Sequence, residues 1–280
     1  MTACNENTES NVIPKREPNG LPYGIQQQNL VYNSDFRYFS NKEGAEYGTP
    51  DGWLYKDAGS GGSIGFDSET NQCVLIKSGG DSLMSFEQHL QEFPRWKDLL
   101  LGQRITAKAR LSLSTDGEVS FSISDGFDTN TVTKNGSGDF EIEAQLTINT
   151  EATIIFIAIE SNDPNIVISI SRVYANLGNI AVPNLPCIVQ GVIGERKQYL
   201  ATENPPAGEL SICKDSEELS EEYTRLDSVI NQRYGVGDNG RSLLPNISGY
   251  FSRAWDNGAT VDPNAEERKA WGESTVTGIM

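Results

Sequence analysis

The sequence predicts a mainly β protein: a β-sandwich jelly roll followed by a small α+β domain. Three observations predict it. Between residues 29 and 180, apolar side chains recur at every second position, the period of a strand with one buried and one wet face. The runs are short and punctuated by turn residues, the pattern of a sandwich or jelly roll of about 150 residues. Beyond residue 213 the apolar spacing changes to that of a helix.

Residues 1–28 are polar and carry Pro14, Pro18, Gly20, Pro22 and Gly24. They read as an extended arm with little core of its own. Such an arm is either a plain tail or a segment that orders on a neighbouring subunit, and composition does not choose between the two. In the next region, Ile105, Ala107, Ala109, Leu111 and Leu113 alternate with Thr106, Lys108, Arg110 and Ser112. Val119, Phe121 and Ile123 alternate with serines, and Phe140, Ile142, Ala144, Leu146 and Ile148 with polar residues. Asp116-Gly117 and Asn135-Gly136 are expected turns, the first a hairpin. Ile154 to Ile159 is apolar at both parities and reads as a central strand. From Ile166 to Leu177 the phase slips by one residue, which predicts a bulge near Ser171-Arg172.

Pro183 and Pro186 make 181–213 a connector. A helix is expected over 216–234, with Leu219, Tyr223, Leu226 and Ile230 on one face. Asp215 caps it in this reading, Glu218 lies three residues on, and Gly235 stops it. The expected domains are thus an arm at 1–28, a jelly roll at 29–180, and a linker with a small domain at 181–280.

Charge excludes several functions. The 280-residue chain carries 39 acidic against 22 basic side chains, a net charge of −17. This argues against nucleic acid and against anionic membrane surfaces, and no apolar run approaches the ~20 residues of a membrane span. The acidity serves solubility or steers toward a basic partner. Cys4, Cys73, Cys187 and Cys213 lack metal-ligand spacing and read as reduced thiols. His89 is the only histidine, and no Gly-x-Ser-x-Gly elbow accompanies it. It reads as structural or surface-exposed. Nothing marks a pair of catalytic carboxylates, so the expectation is a protein that is not an enzyme. The start of the chain has no signal pattern, and the expected site of synthesis is a cytoplasm.

The last hundred residues carry a resemblance. Pro205-Pro206-Ala207-Gly208, Cys213, Tyr234-Gly235-Val236-Gly237-Asp238 and Leu244-Pro245-Asn246-Ile247-Ser248-Gly249-Tyr250-Phe251-Ser252-Arg253-Ala254-Trp255-Asp256-Asn257-Gly258 follow in that order. This resembles the collar domain of bacteriophage tail fibres. Asn246, Ser248 and Ala254 depart from the residues common in that family. The resemblance implies a homotrimeric virion tail component, with Arg253, Trp255, Asp256 and Asn257 at the subunit interface. It also implies contact with other tail or baseplate proteins.

The sandwich carries a second one. Asn29-Leu30-Val31-Tyr32-Asn33-Ser34-Asp35-Phe36, Pro50-Asp51-Gly52-Trp53 and Ile168 to Asn179 are similar to the opening and closing strands of carbohydrate-binding jelly rolls. A sugar needs an aromatic face to stack on and polar groups to read its hydroxyls. Trp53, Tyr55, Tyr32 and Trp96 are the candidate platforms, each with core packing as its plainer role. Related modules often hold a structural calcium, for which Asp35 or Glu43 supplies oxygen. Ser171 stands where many of them place an Asp, a departure that counts against that calcium, and no cofactor is expected. Gly59 to Gly65 lacks the Gly-Lys-Ser/Thr ending of a phosphate loop and reads as a surface loop.

Together these readings make the protein a non-enzymatic tail fibre or tail-associated adhesin, its partner a bacterial surface glycan. The alternative is a baseplate or tail connector that binds no glycan.

Overall fold

The computed structural model describes residues 28–43, 46–57, 61–80, 82–197, 209–212 and 216–247. Eight strands form one hydrogen-bonded system: β1 Leu54–Asp57, β2 Ser63–Asp67, β3 Gln72–Ile76, β4 Met84–His89, β5 Arg104–Ser124, β6 Thr129–Thr147, β7 Phe156–Ser161 and β8 Val167–Leu177. The order is β1-β4-β7-β5-β8-β3-β2, with β6 paired to β5. The antiparallel pairs β5·β6, β4·β7 and β3·β8 are nested in sequence. That nesting is the mark of a jelly roll, a long hairpin wrapped around its own core.

The two long strands belong to both layers. Arg104–Leu113 of β5 pairs with β8, whereas Ser120–Ser124 pairs with β7. The ribbon therefore passes from a β6-β5-β8-β3-β2 layer to a β6-β5-β7-β4-β1 layer at the register shift between Leu113 and Gly117. This corrects the two expected turns. Asp116-Gly117 and Asn135-Gly136 do not close hairpins, since Gly117 faces Gly136 across the ribbon. A Cβ at 117 would lie 2.9 Å from Ile166 Cδ1, so a larger residue there displaces that side chain. Gly136 and Gly138 have φ of 116° and 99°, a region L side chains avoid. The glycines mark the bend, and bends and turns share that chemistry.

The hairpin closes instead at Asp125-Gly126-Phe127-Asp128. The buried Asp125 carboxylate accepts the N–H groups of Phe127 (2.9 Å), Asp128 (2.7 Å) and Asn149 (2.7 Å). Burial opposes its ionisation. The N–H donors of Asp128, Asn149 and Phe127 outweigh burial and hold the carboxyl below the ordinary aspartate value.

The inner faces meet in one core that includes Leu75, Phe86, Ile105, Leu111, Phe121, Ile123, Ile142, Ile157, Ile159, Ile168, Ile170 and Val173. The predicted alternation holds in β5, β6 and β8. The bulge is where the phase slip places it: Arg110 faces Arg172 while Leu111 faces Ile170, leaving Ser171 as the extra residue. Gly65 and its neighbours from Ser63 onward lie in β2 and not in a surface loop.

A short helix, α1 Trp96–Leu100, follows β4. In the C-terminal part, α2 spans only Thr224–Ile230, shorter than the 216–234 expected. Backbone bonds explain the difference. Leu219 N donates to Ser242 O (3.0 Å) and Leu244 N to Glu217 O (2.9 Å), so residues 217–219 pair with 242–244. Asn231 and Gln232 then take left-handed φ of 48° and 56° and end the helix before Gly235. Glu218 does not cap the helix; its carboxylate accepts the N–H groups of Asn239 and Arg241, each at 3.0 Å. Asp215 lies outside the described residues. A small cluster of Leu219, Ile230 and Leu244 forms this lobe's core.

Among the described residues the lobe is fastened to the sandwich by a buried ion pair, with Asn41 Nδ2 donating to Ser228 O (2.7 Å) and Arg233 Nη2 to Ser40 O (3.2 Å) beside it. Arg225 and Glu92 have side chains only 1% and 7% exposed, with Arg225 Nε 3.5 Å from Glu92 Oε2. Arg225 Nη2 donates to Glu92 O at 2.6 Å, and the Arg225 N–H donates to the carboxylate at 2.9 Å. Thr224 Oγ1 donates to the same carboxylate, so a residue of the sandwich caps α2.

Candidate functional site

Of the four aromatic candidates, two are core residues. Trp53 is 1% exposed, stacked on Phe86 (centroids 4.4 Å apart, planes at 8°) and tilted against Phe36 at 5.7 Å. At that burial it offers no face to a sugar. Tyr32 is buried as well; its hydroxyl accepts the Ile193 N–H at 3.1 Å, and burial raises its pKa to about 12. Tyr55 pairs with the inward-facing Phe86 and packs on the core from the edge. Burial, with Asp57 adding to it, raises its pKa to about 12. Trp96 sits on α1, half-buried against the core. The structure does not gather the four on one face. Asp35 pairs with Arg37 at 2.7 Å, Glu43 lies in a backbone bridge with Glu46, and among the described residues no group of three His, Cys, Asp or Glu side chains is placed to hold a metal ion. Arg253, Trp255, Asp256 and Asn257 lie outside the described residues.

A different set of residues is brought together. In β4, Phe86 points to the core, so Ser85, Glu87 and His89 point outward. The registers carry that parity across the layer. One row runs Lys56, Ser85, Glu160, Ser120, Thr133; the next runs Leu54, Glu87, Ala158, Ser122, Thr131; a third runs His89, Phe156, Ser124, Thr129. The face is recessed: Ser85, Glu87, Ser122, Ser124 and Ala158 are all buried.

Hydroxyls ladder along one side of it. Ser120 Oγ and Thr133 Oγ1 are 3.0 Å apart, and Thr129 Oγ1 donates to Ser124 Oγ at 2.8 Å. Charges gather on the other side. Lys56 pairs with Glu87, and His89 Nε2 lies 3.9 Å from Glu87 Oε1. Burial holds His89 below the usual histidine value, with Lys56 and Arg225 adding to the effect against the pull of Glu87; the ring is neutral at pH 7. Burial, helped by Glu87, pushes the Glu160 carboxyl up against the opposing effects of Ser85 and Lys56. Phe156 lies half-buried in the third row, its ring 6.1 Å from that of His89.

A half-open ring beside ordered hydroxyls and carboxylates can stack on a sugar ring and read its hydroxyls. Reasoning from aromatic residue type overlooked this face. Two signals pointed to it: the serines alternating with Val119, Phe121 and Ile123, and the charged parity Glu87, His89 flanking Gln88.

The fold and face define a β-sandwich jelly roll with a recessed polar sheet surface. No family model matches the sequence, and neither does any curated protein. Among solved structures, the carbohydrate-binding module TmCBM61, in complex with β-1,4-galactotriose, is similar with a TM-score of 0.38 and 15% identity, over 54% of this chain and 99% of that one. A xylan-binding domain from Paenibacillus barcinonensis has a TM-score of 0.37 and 13% identity over 54% and 94% of the two chains. The enzymatically active domain of tailspike protein 4 from bacteriophage CBA120 has a TM-score of 0.37 and 15% identity over 53% of this chain and 21% of its own.

Proposed function

We propose that the protein is a non-enzymatic bacteriophage tail fibre or tail-associated adhesin whose sandwich binds a bacterial surface glycan. The observation that carries the glycan-binding part is the recessed outer face of β1, β4, β7, β5 and β6. It combines a half-buried ring, Phe156, with ordered hydroxyls and the Glu87 and Glu160 carboxylates, the mixture a saccharide requires. The tail assignment rests on the resemblance of residues 205–258 to the tail-fibre collar. In this reading the collar-like segment joins three chains, through Arg253, Trp255, Asp256 and Asn257, and so multiplies weak single-site binding.

The test is a glycan array probed with the full chain and with Phe156→Ala. Binding by the parent, weakened roughly tenfold in the variant as expected for one lost stacking contact, supports the reading. An array silent for the parent sinks it. Release of new reducing ends from a bound glycan overturns the non-enzymatic part, and sedimentation of the intact chain as a monomer at micromolar concentration overturns the trimer.

A further inference from the structure

The charges on the outer face do not balance. Glu87 has Lys56 as its partner, with His89 beside it, but Glu160 faces Ser85 and Ser120 across its two neighbouring strands. The other positions of these three rows are hydroxyl, alkyl or aromatic, and one step further along the face Glu118 lies opposite Asn135. Ser85 is itself buried, and its Oγ makes no hydrogen bond of good geometry although it lies beside Glu160. A buried hydroxyl in that condition is a polar group awaiting a partner. Among the described residues no third His, Cys or acidic side chain joins the two glutamates to make a metal-ligand group.

From this we infer that the face selects a glycan bearing a free amino group, whose ammonium sits on Glu160 and donates to Ser85 Oγ. A cationic amino sugar supplies a countercharge to Glu160, which forms no ion pair of its own among the described residues, and a donor to Ser85 Oγ. An N-acetylated sugar brings one amide N–H and no charge, and a uronate brings a second anion against two carboxylates. The inference rests on the glycan-binding reading above and deepens it. Lys56, with a side chain 62% exposed, competes weakly for the same carboxylates.

The test is calorimetric titration of the full chain with three tetrasaccharides: a β-1,4-glucosamine oligomer, its fully N-acetylated counterpart, and a galacturonate oligomer. The glucosamine oligomer binds at least tenfold more tightly than the N-acetylated one, the worth of one charge-assisted hydrogen bond, and the galacturonate binds weakest. Glu160→Gln abolishes that preference, while Lys56→Met increases it. Equal affinity for the amino and N-acetylated oligomers, or tightest binding of the galacturonate, overturns the inference and leaves glycan binding standing. Failure of all three to bind overturns the inference, and only an array silent as well overturns the glycan-binding reading.

Discussion

Asp125 is the residue whose loss the structure prices most clearly. Its carboxylate accepts three backbone N–H groups at 2.7–2.9 Å with no solvent exposure. Two come from its own turn, while the third, from Asn149, ties the β5–β6 turn to the segment leading into β7. In Asp125→Asn, Oδ1 still serves Phe127 and Asp128, but an amide NH2 replaces the oxygen facing Asn149. One charge-assisted bond is lost and one buried donor is orphaned, a cost of about 3 kcal/mol in all. The pH dependence has a definite sign. The folded carboxyl titrates below its ordinary value, so its contribution is complete above the unfolded value, near pH 4, and fades as pH falls through the lower folded value. Urea unfolding followed by tryptophan fluorescence at pH 7 and pH 3 measures both quantities. A destabilisation of about 3 kcal/mol at pH 7 that shrinks markedly at pH 3 is expected. A cost below ~0.5 kcal/mol at pH 7, the size of an ordinary surface change, or a cost undiminished at pH 3, refutes the reasoning.

Other perturbations have equally definite outcomes. Arg225→Met strands the buried Glu92 carboxylate and costs roughly 3–5 kcal/mol; hydrogen exchange should show amides of 216–247 losing protection before those of the sandwich. Trp53→Ala empties a buried site beside Phe36 and Phe86 and costs about 3–5 kcal/mol, read by thermal unfolding; at equal folded fraction its glycan affinity matches the parent. Glu160 has its folded pKa raised, chiefly by burial. Its ionisation therefore opposes folding as pH rises from the unfolded carboxyl value through the raised one. Glu160→Gln should raise the melting temperature at pH 7 and leave it near the parent's at pH 3.5; a drop at pH 7 contradicts that assignment.

Much of the sandwich was legible because period-2 alternation reports directly on a two-faced sheet. Ile105 to Leu113 and Val119 to Ile123 point inward as their spacing requires, and even the Ser171 bulge follows from a slipped phase. The glycines misled because one chemistry serves two geometries. Gly117 and Gly136 carry a ribbon across from one layer to the other, where the same residues elsewhere close a hairpin. Helix length was overestimated for a related reason: apolar spacing at Leu219 and Tyr223 fits a helix, but tertiary pairing with residues 242–244 claims the backbone of 217–219. The candidate site was the hardest to see. Trp53 and Tyr32 drew attention as aromatic residues and are buried, whereas Phe156 lay within an apolar run whose outward parity only strand pairing reveals. Lys56, Glu87, Glu160 and Ser120 come from four strands, and no sequence spacing joins them.

The central claim is that a saccharide occupies the outer face of β4, β5 and β7. Backbone amide chemical shifts recorded while an array-identified oligosaccharide is titrated into the full chain test it most directly. Shifts concentrated at Ser85, Glu87, His89, Ser122, Phe156 and Glu160 are predicted. Shifts centred instead on Trp96, Tyr55 or residues 216–247, with that face unperturbed, contradict the account.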